Sequence, residues 1–149
     1  MSQLNRTHSR LACRSAIFVL ALWVGCGESG PPLYPVQGQV VYKDDGSPFR
    51  GATAVVFESR DPPYTRASSE LDSDGKFVLA TERRAGTGAM EGKHRVSISY
   101  ITSAGAYVQE TLAKQIDKKY FEFSTSGLEV DIKPNQPNEI KIELARPGK

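Results

Sequence analysis

The chain has few of the residues that most often carry catalysis, metal binding or sugar stacking. Its 149 residues include two cysteines, two histidines and one tryptophan. A zinc site needs three or four Cys, His or carboxylate ligands, so we predict no metal site and no cofactor. A composition of 39% hydrophobic and 24% charged residues is ordinary for a globular protein of about one domain. Composition therefore excludes disorder and excludes little else.

Long hydrophobic runs are also missing. The main apolar stretch covers ten residues, 16–25, whereas a helix that crosses the bilayer needs about 20. The segment before it carries Arg6, Arg10 and Arg14 and no acid. A basic region followed by a short apolar region and small residues is typical of a secretory signal peptide. We therefore predict a leader over residues 1–25, and the alternative is a strand or helix of a buried core.

The stretch LWVGCG, which ends the apolar segment, resembles a bacterial lipobox, in which a branched residue, a short residue and Gly, Ala or Ser precede an acylated cysteine. Val24 and Gly25 fit the two positions before Cys26, whereas Trp23 stands where Leu is usual. Cys13 lies in the leader, so a chain cleaved before Cys26 holds one cysteine and no internal disulfide. We predict acylation of Cys26, and an intermolecular disulfide is the alternative.

A lipid anchor on Cys26 implies export and a membrane partner. The domain would lie at the periplasmic face or the cell surface, and Gly27, in place of the Asp associated with inner-membrane retention, favours the outer membrane. Without the three leader arginines, the 19 basic residues fall to 16 against 17 acidic ones, a net charge of −1. A nearly neutral domain offers no basic stripe for nucleic acid and no polybasic membrane patch. We expect no nucleic-acid partner.

The rest of the chain predicts a tether followed by one all-β domain. Residues 26–34 are rich in Gly and Pro and predict a flexible tether, and residues 35–149 carry short segments with one apolar and one polar face, such as HRVSISYI, GLEVDI and NEIKIEL. DDGSP and DSDG predict two hairpin turns. Val108, Leu112 and Ile116, spaced four apart, predict one short helix. About seven strands predict an antiparallel β-sandwich, with a closed barrel as the alternative.

Three stretches resemble, in order and spacing, the motifs of carboxypeptidase regulatory-like domains: YPVQGQVVYKDDGSPFRGATAVVF, DSDGKFVLAT and EGKHRVSISY. The tail IDKKYFEFSTSGLEVDIKPNQPNEIKIEL is similar to the end of small bacterial lipoproteins of this type. The resemblance covers roughly residues 34–144 and implies a transthyretin-like or prealbumin-like sandwich of seven strands. It implies no activity, because nothing here corresponds to the catalytic zinc domain that such domains accompany in carboxypeptidases.

The candidate catalytic side chains each have a simpler interpretation. His94 remains after the leader is removed, and its parity with Val96 and Ile98 predicts a packed position. Asp72 and Asp74 resemble the start of a calcium loop, but the later loop positions lack the required Gly and Glu, which favours a tight turn. No G-x-S-x-G elbow presents a serine. We predict no catalytic residue, and an uncharacterised hydrolase is the remaining enzymatic alternative.

These observations predict a non-catalytic module with an interaction or structural role at the cell envelope. The main alternative is a carbohydrate-binding module, because related sandwich folds include carbohydrate binders that stack sugars on aromatic rings. Tyr64 and Tyr107, in predicted loops, and Tyr120, in KKYFEF, are the candidate glycan contacts. Phe121 and Phe123 share parity, which favours packing of this cluster against a sheet. An envelope protein is the other candidate partner.

Overall fold

The computed structural model describes residues 31–51, 53–81, 87–100 and 106–148, without the side chains of residues 106–109. Within these ranges the chain forms ten strands, one α-helix and one short 3₁₀ helix. The strands are β1 Leu33–Tyr34, β2 Val36–Tyr42, β3 Thr53–Ser59, β4 Arg66–Glu70, β5 Lys76–Val78, β6 Ala80–Thr81, β7 Ala89–Met90, β8 Gly92–Tyr100, β9 Leu128–Ile132 and β10 Asn138–Leu144. Helix α1, Ala106–Gln115, and the 3₁₀ helix, Lys118–Phe121, lie between β8 and β9. No helix in the described ranges is both long and apolar enough to cross a bilayer.

Two sheets form the body of the domain. One has five strands in the order β6-β4-β3-β8-β9 and the other has three in the order β10-β2-β5, while β1 pairs with β7. Seven strands have three or more residues, and β1, β6 and β7 have two each. The predicted all-β sandwich of about seven strands is therefore confirmed. Among the described strand pairs, β2 with β10 is parallel and the others are antiparallel, so the sandwich is not wholly antiparallel.

The core fills the space between the two sheets. In β3, every second residue from Thr53 to Ser59 is buried and those between are partly exposed, which is the period of a strand with one covered face. Phe57 of β3 and Phe77 of β5 bring their ring centroids to 5.9 Å across this space. Each fully buried large apolar side chain contributes about 1.5–3 kcal/mol. The core residues are Val36, Val40, Phe49, Val55, Phe57, Ala67, Phe77, Leu79, Ala89, Val96, Ile98, Leu112, Ile116, Tyr120, Ile132, Ile142 and Leu144.

The turn at DDGSP is present, but the predicted hairpin between its flanking long strands is wrong. The chain turns back after Tyr42 and forms a single bridge between Val41 and Pro48. Pro48 has no N–H with which to extend the ladder, and Phe49 is fully buried in the core. The chain therefore crosses between the sheets, and β3 pairs with β4 and β8 instead of β2.

The DSDG turn also connects the two sheets. Gly75 has φ of +71°, a left-handed conformation that glycine adopts without steric cost. The preceding strand β4 belongs to the five-stranded sheet, whereas β5 pairs with β2 in the other. The predicted turn is confirmed, and the predicted hairpin pairing of its two strands is wrong.

The predicted helix is present over Ala106–Gln115. Leu112 and Ile116 are buried in the core, as their spacing predicts, while the side chain of Val108 lies outside the described part. Asp117 then caps the 3₁₀ helix by accepting a hydrogen bond from the backbone N–H of Lys119, 3.0 Å away. The helical segment thus packs against the core instead of extending the sheets.

The sandwich has two ends, which we call proximal and distal. The proximal end is where β1 joins the domain, and it holds Val36, Ser59, Gly92, Ile132 and Asn138, which begin or end their strands. The distal end carries the turns after β2 and β4, helix α1 and the 3₁₀ helix. Loops that lie far apart in the sequence therefore meet at a common end.

Candidate functional site

His94 is a core residue. It is 1% exposed, and its ring centroid lies 6.4 Å from that of Phe57. Nδ1 lies 3.0 Å from the carbonyl oxygen of Gly92, to which the Nδ1–H tautomer donates a hydrogen bond. Burial lowers the pKa of His94 below its ordinary value of 6.5. The predicted packed position is confirmed, and the ring is enclosed in the core.

The carboxylates of both predicted turns hold the local backbone. Asp72 Oδ1 accepts hydrogen bonds from the backbone N–H groups of Asp74 and Lys76, each at 2.8 Å, and these bonds lower its pKa. Asp45 Oδ1 accepts from the Ser47 N–H at 2.9 Å and from the Ser47 hydroxyl at 2.6 Å. These bonds lower the pKa of Asp45 to about 2. Asx-type bonds of this kind are what turns require, so the turn interpretation is confirmed.

Arg146 ties the segment after β10 to the first of these turns. Its guanidinium carbon lies 3.7 Å from the ring centroid of Tyr42. The guanidinium also pairs with Asp44 and, at 3.0 Å, with Asp45. The cluster joins opposite charges over an aromatic face, which stabilises the distal end of the sandwich.

The structure separates the predicted tyrosine contacts. Tyr64 lies in the β3–β4 loop and is 63% exposed. Tyr120 is 5% exposed, and its hydroxyl oxygen accepts a hydrogen bond from the backbone N–H of Ala145 at 3.0 Å. The Tyr120 ring is therefore part of the core and offers no open face for stacking. Tyr107 is in α1, but its side chain lies outside the described part.

The predicted lipidation site Cys26 lies outside the described residues, as does all of the predicted leader. The described part begins in the last residues of the predicted tether, and β1 follows at Leu33. Cys26 lipidation stays a prediction.

A shallow depression of about 520 Å³ lies on the outer face of the three-stranded sheet. Gln37 of β2 lies between Val78 of β5 and Glu139 of β10, and Gln39 lies between Lys76 and Lys141. Gln37 Nε2 donates to Glu139 Oε1 at 2.6 Å, and Gln39 Nε2 donates to the Asp74 carbonyl at 2.9 Å. Amide, ammonium, carboxylate and apolar groups meet there, which suits a small polar ligand. Its side chains are those of Gln37, Gln39, Lys76, Val78, Glu139 and Lys141.

A second opening, of about 430 Å³, separates the edge strands β9 and β10. Lys43, Lys119 and Lys141 reach it from three elements, and Lys141 Nζ donates to Glu143 Oε1 at 2.9 Å. Apolar side chains of Leu128, Val130 and Ile142 also line it. Glu129 and Glu143 line the opening as well, so a rim of mixed charge surrounds the apolar residues, which suits an amphipathic ligand.

A row of charges crosses the outer face of the five-stranded sheet. Glu58 accepts hydrogen bonds from Arg66, at 2.9 and 2.6 Å, and from Arg95, at 2.6 Å. The hydrogen bonds from Arg66, and then those from Arg95, lower the pKa of Glu58. Both guanidinium groups lie over the ring of Phe123, at 5.3 and 5.9 Å from its centroid. Its internal charge pairing identifies the row as a structural element.

The fold and these surfaces place the chain among all-β sandwich proteins. In the part of the chain that the structure describes, no group of three or more His, Cys, Asp and Glu residues stands ready to hold a metal ion. The two openings present hydrogen-bonding, charged and apolar groups.

No protein-family model and no curated protein matches the chain. Among solved structures, the chain is similar to a DUF3823 family protein from Parabacteroides merdae, with 16% identity, 78% of this chain and 48% of that one covered, and a TM-score of 0.47. It is also similar to a 9R-lipoxygenase from Cyanothece, with 14% identity, 92% and 18% covered, and a TM-score of 0.37. The chain thus spans about half the length of the first and under a fifth of the second. Similarities of this size identify no function.

Proposed function

We propose that the chain is a lipid-anchored, exported β-sandwich module with an interaction or structural role at the cell envelope. The observation that carries this proposal is the sequence LWVGCG at the end of a short apolar segment preceded by three arginines. A single myristoyl-sized chain holds a protein only marginally, whereas two or more chains anchor it stably. A lipoprotein cysteine carries two or more acyl chains, so Cys26 would hold the domain stably at the membrane surface. Gly27 favours the outer membrane.

A non-catalytic role is supported by the state of the candidate side chains. His94 is enclosed in the core, and Asp45 and Asp72 are occupied by turn hydrogen bonds. A general base needs to be within hydrogen-bond reach of its substrate. The described surfaces instead offer shallow, polar faces of a kind suited to binding.

We also propose that the domain is of the carboxypeptidase regulatory-like type. The ordered motifs from Tyr34 to Tyr100 support this proposal, together with seven strands of three or more residues in two packed sheets. Gly75 makes the DSDG turn and Phe77 enters the core, which also supports this proposal.

Carbohydrate binding is the second candidate, and the depression on the three-stranded sheet favours it. Gln37, Gln39 and Lys76 present amide and ammonium groups there beside Val78, which is 55% exposed. Sugar hydroxyls pair with such groups, while C–H surfaces contact the apolar side chain. Tyr64 remains the candidate aromatic contact elsewhere on the surface.

The anchor is tested by metabolic labelling with a clickable fatty-acid analogue in a bacterial host. We expect labelling of the wild type and complete loss of label in Cys26→Ala. The Cys13→Ala variant is the matched control, because it removes the other cysteine and should keep the label. Equal labelling of wild type and Cys26→Ala would show that Cys26 is not the acylated residue.

Carbohydrate binding is tested on a glycan array. If a glycan binds in the depression, its binding should be lost in the Gln39→Ala and Lys76→Ala variants. The control is Glu70→Ala, an exposed change on β4 of the other sheet. If no glycan binds, carbohydrate binding is removed. If binding survives the two depression variants and Tyr64→Ala, neither the depression nor Tyr64 is the binding site.

A further inference from the structure

We propose that the loop of residues 61–64, between β3 and β4, contacts the surface of the membrane that holds Cys26, with the Tyr64 ring at the boundary between lipid and water. It rests on the proposed lipid anchor and adds to it a defined orientation. The occupant of this surface is the bilayer itself, and the proximal end of the sandwich faces it.

The first support is the reach of the tether. Six residues, 27–32, separate Cys26 from β1, so the start of β1 lies no more than about 25 Å from the acylated cysteine even with the chain fully extended. Leu33 of β1 pairs with Met90. The Thr65 hydroxyl, next to the loop, donates to Met90 Sδ at 3.0 Å. The loop and β1 therefore share a neighbour at the proximal end, close to the membrane.

The second support is the chemistry of the loop. Pro62, Pro63 and Tyr64 are all exposed, and Tyr64, at 63%, is more exposed than Val78 and Tyr100, the other exposed large hydrophobic residues of the described part. Tyrosine combines an apolar ring with a polar hydroxyl and is enriched at membrane–water interfaces. The exposed Pro-Pro-Tyr tip therefore places a tyrosine at the membrane-facing end, where an interfacial tyrosine is favourable.

The third support is that hydrogen bonds hold the loop backbone around Tyr64 in a defined conformation. The Tyr64 N–H donates to the Asp61 carbonyl at 3.0 Å, and the Ser59 N–H donates to the Thr65 carbonyl at 2.9 Å. The Ser59 hydroxyl also donates to the Asp61 carbonyl at 2.8 Å. Tyr64 has φ of +49°, an uncommon conformation for a bulky residue, held by these bonds. A preorganised loop backbone loses little conformational entropy on contact.

Charge does not explain the contact, because the proximal end is electrically mixed. Arg60 pairs with Glu129 at 2.5 Å, and Lys133 pairs with Asp131. A polybasic patch would be needed for electrostatic attachment to anionic lipid. The proposed contact is therefore made by the apolar part of the loop, and added salt, which screens the exposed Asp61 from anionic lipid, should not weaken it.

The test measures quenching of tryptophan fluorescence by brominated lipid. Its one tryptophan, Trp23, is in the predicted leader, so Tyr64→Trp gives a processed protein with a single reporter. The acylated protein is reconstituted in vesicles of phosphatidylethanolamine and phosphatidylglycerol whose acyl chains are brominated. We expect a blue-shifted emission and the loss of most of the fluorescence, at low and high salt alike, relative to the same vesicles without bromine.

The matched control is Tyr100→Trp. Tyr100 is also an exposed tyrosine, at 39%, but it ends β8 at the distal end, and its nine-residue strand puts it about 27 Å from the proximal end. We expect little quenching there. A Tyr64→Cys variant labelled with an environment-sensitive dye gives a second readout if Tyr64→Trp fails to fold, because Cys26 is blocked by acylation.

The outcomes separate this inference from the proposed function. If mass spectrometry finds no acyl groups on Cys26 and the protein does not float with vesicles, the anchor and the orientation both fail. If the protein is acylated and floats, but bromine quenches neither variant or both equally, the anchor stands and the membrane contact of Tyr64 is overturned. Selective quenching at residue 64 supports the orientation.

Discussion

Removal of the Tyr120 hydroxyl distinguishes a structural tyrosine from a ligand contact. In Tyr120→Phe the ring keeps its place in the core, where the side chain is 5% exposed, and its contact with Lys119 Nζ, 5.0 Å from the centroid, also remains. The change removes the acceptor of the hydrogen bond from Ala145 N–H. That bond fastens the helical segment to the end of β10, together with the bond from Asp117 N–H to the Ala145 carbonyl at 3.1 Å.

The expected loss follows from one neutral hydrogen bond. Such a bond contributes about 1 kcal/mol net, so the free energy of unfolding should fall by about 1 kcal/mol and Tm by about 4 °C for a domain of this size. Tyr120→Ala also removes the ring and leaves a cavity, and its cost should reach about 3–5 kcal/mol, as for other buried aromatics.

The assay is urea unfolding followed by circular dichroism. Both Tyr120 variants should lower the urea midpoint without changing the slope of the transition, because the surface exposed on unfolding is nearly the same. Tyr64→Phe is the matched control, since it removes a hydroxyl from an exposed ring and should stay within about 0.5 kcal/mol of the wild type. An unchanged midpoint in Tyr120→Phe would refute the structural role of the hydroxyl.

Three further predictions concern a charge cluster on the outer face, the buried His94 and two turn glycines. Glu58→Gln should lower the free energy of unfolding in urea by about 1 kcal/mol, because two arginines share the Glu58 carboxylate. Glu129→Gln should leave it almost unchanged, because Glu129 has a single, exposed ion pair. Equal losses in the two variants would contradict the role of the shared carboxylate. Burial lowers the pKa of His94, so as the pH falls the unfolded state binds the proton before the folded state does. The free energy of unfolding should therefore be full above about pH 6.5 and fall below it, and His94→Gln should weaken this dependence. Identical pH profiles of the two proteins would contradict this role of His94. Gly75→Ala and Gly46→Ala both place alanine at φ near +70°, but only at Gly75 does the new Cβ lie 2.7 Å from backbone oxygens. Gly46→Ala should lower the free energy of unfolding by about 1 kcal/mol and Gly75→Ala by about 1–3 kcal/mol more. Similar losses in the two variants would exclude the clash.

The strands and their faces were predictable because they depend on local pattern. Val96 and Ile98 are buried on one face of β8, and Ile142 and Leu144 on one face of β10, as alternation predicts. Tyr100 has the parity of the buried residues of β8 but is 39% exposed at its end. Alternation therefore predicts the face of a residue and does not predict where the covering layer stops.

The pairing of strands was not predictable, because alternation defines a face and leaves the neighbour open. The parallel pairing of β2 with β10 places Val36 opposite Asn138, about a hundred residues apart in sequence. The turn residues were identified correctly, yet both turns lead the chain from one sheet to the other. A buried Phe49 after the first turn and Phe77 after the second explain why, since each carries the chain across the core.

The candidate surfaces show the same limit. The depression depends on Gln39 lying between Lys76 of β5 and Lys141 of β10, which follows from strand order alone. KKYFEF was interpreted through strand parity, but its first four residues form a 3₁₀ helix. Tyr120 therefore points into the core while Phe123 lies under Arg66 and Arg95. The departure from strand geometry explains the different environments of these two rings.

The proposed anchor and orientation together determine which surfaces a partner reaches. With the proximal end in contact with the membrane and a tether of only six residues, 27–32, no gap remains beneath the domain for a second domain to enter. The depression on the three-stranded sheet is then presented sideways, and helix α1 and Arg146 at the distal end point away from the lipid. A soluble glycan could reach either surface, whereas a neighbouring membrane protein would meet the side of the sandwich first. The depression is therefore the first surface on which to search for a partner.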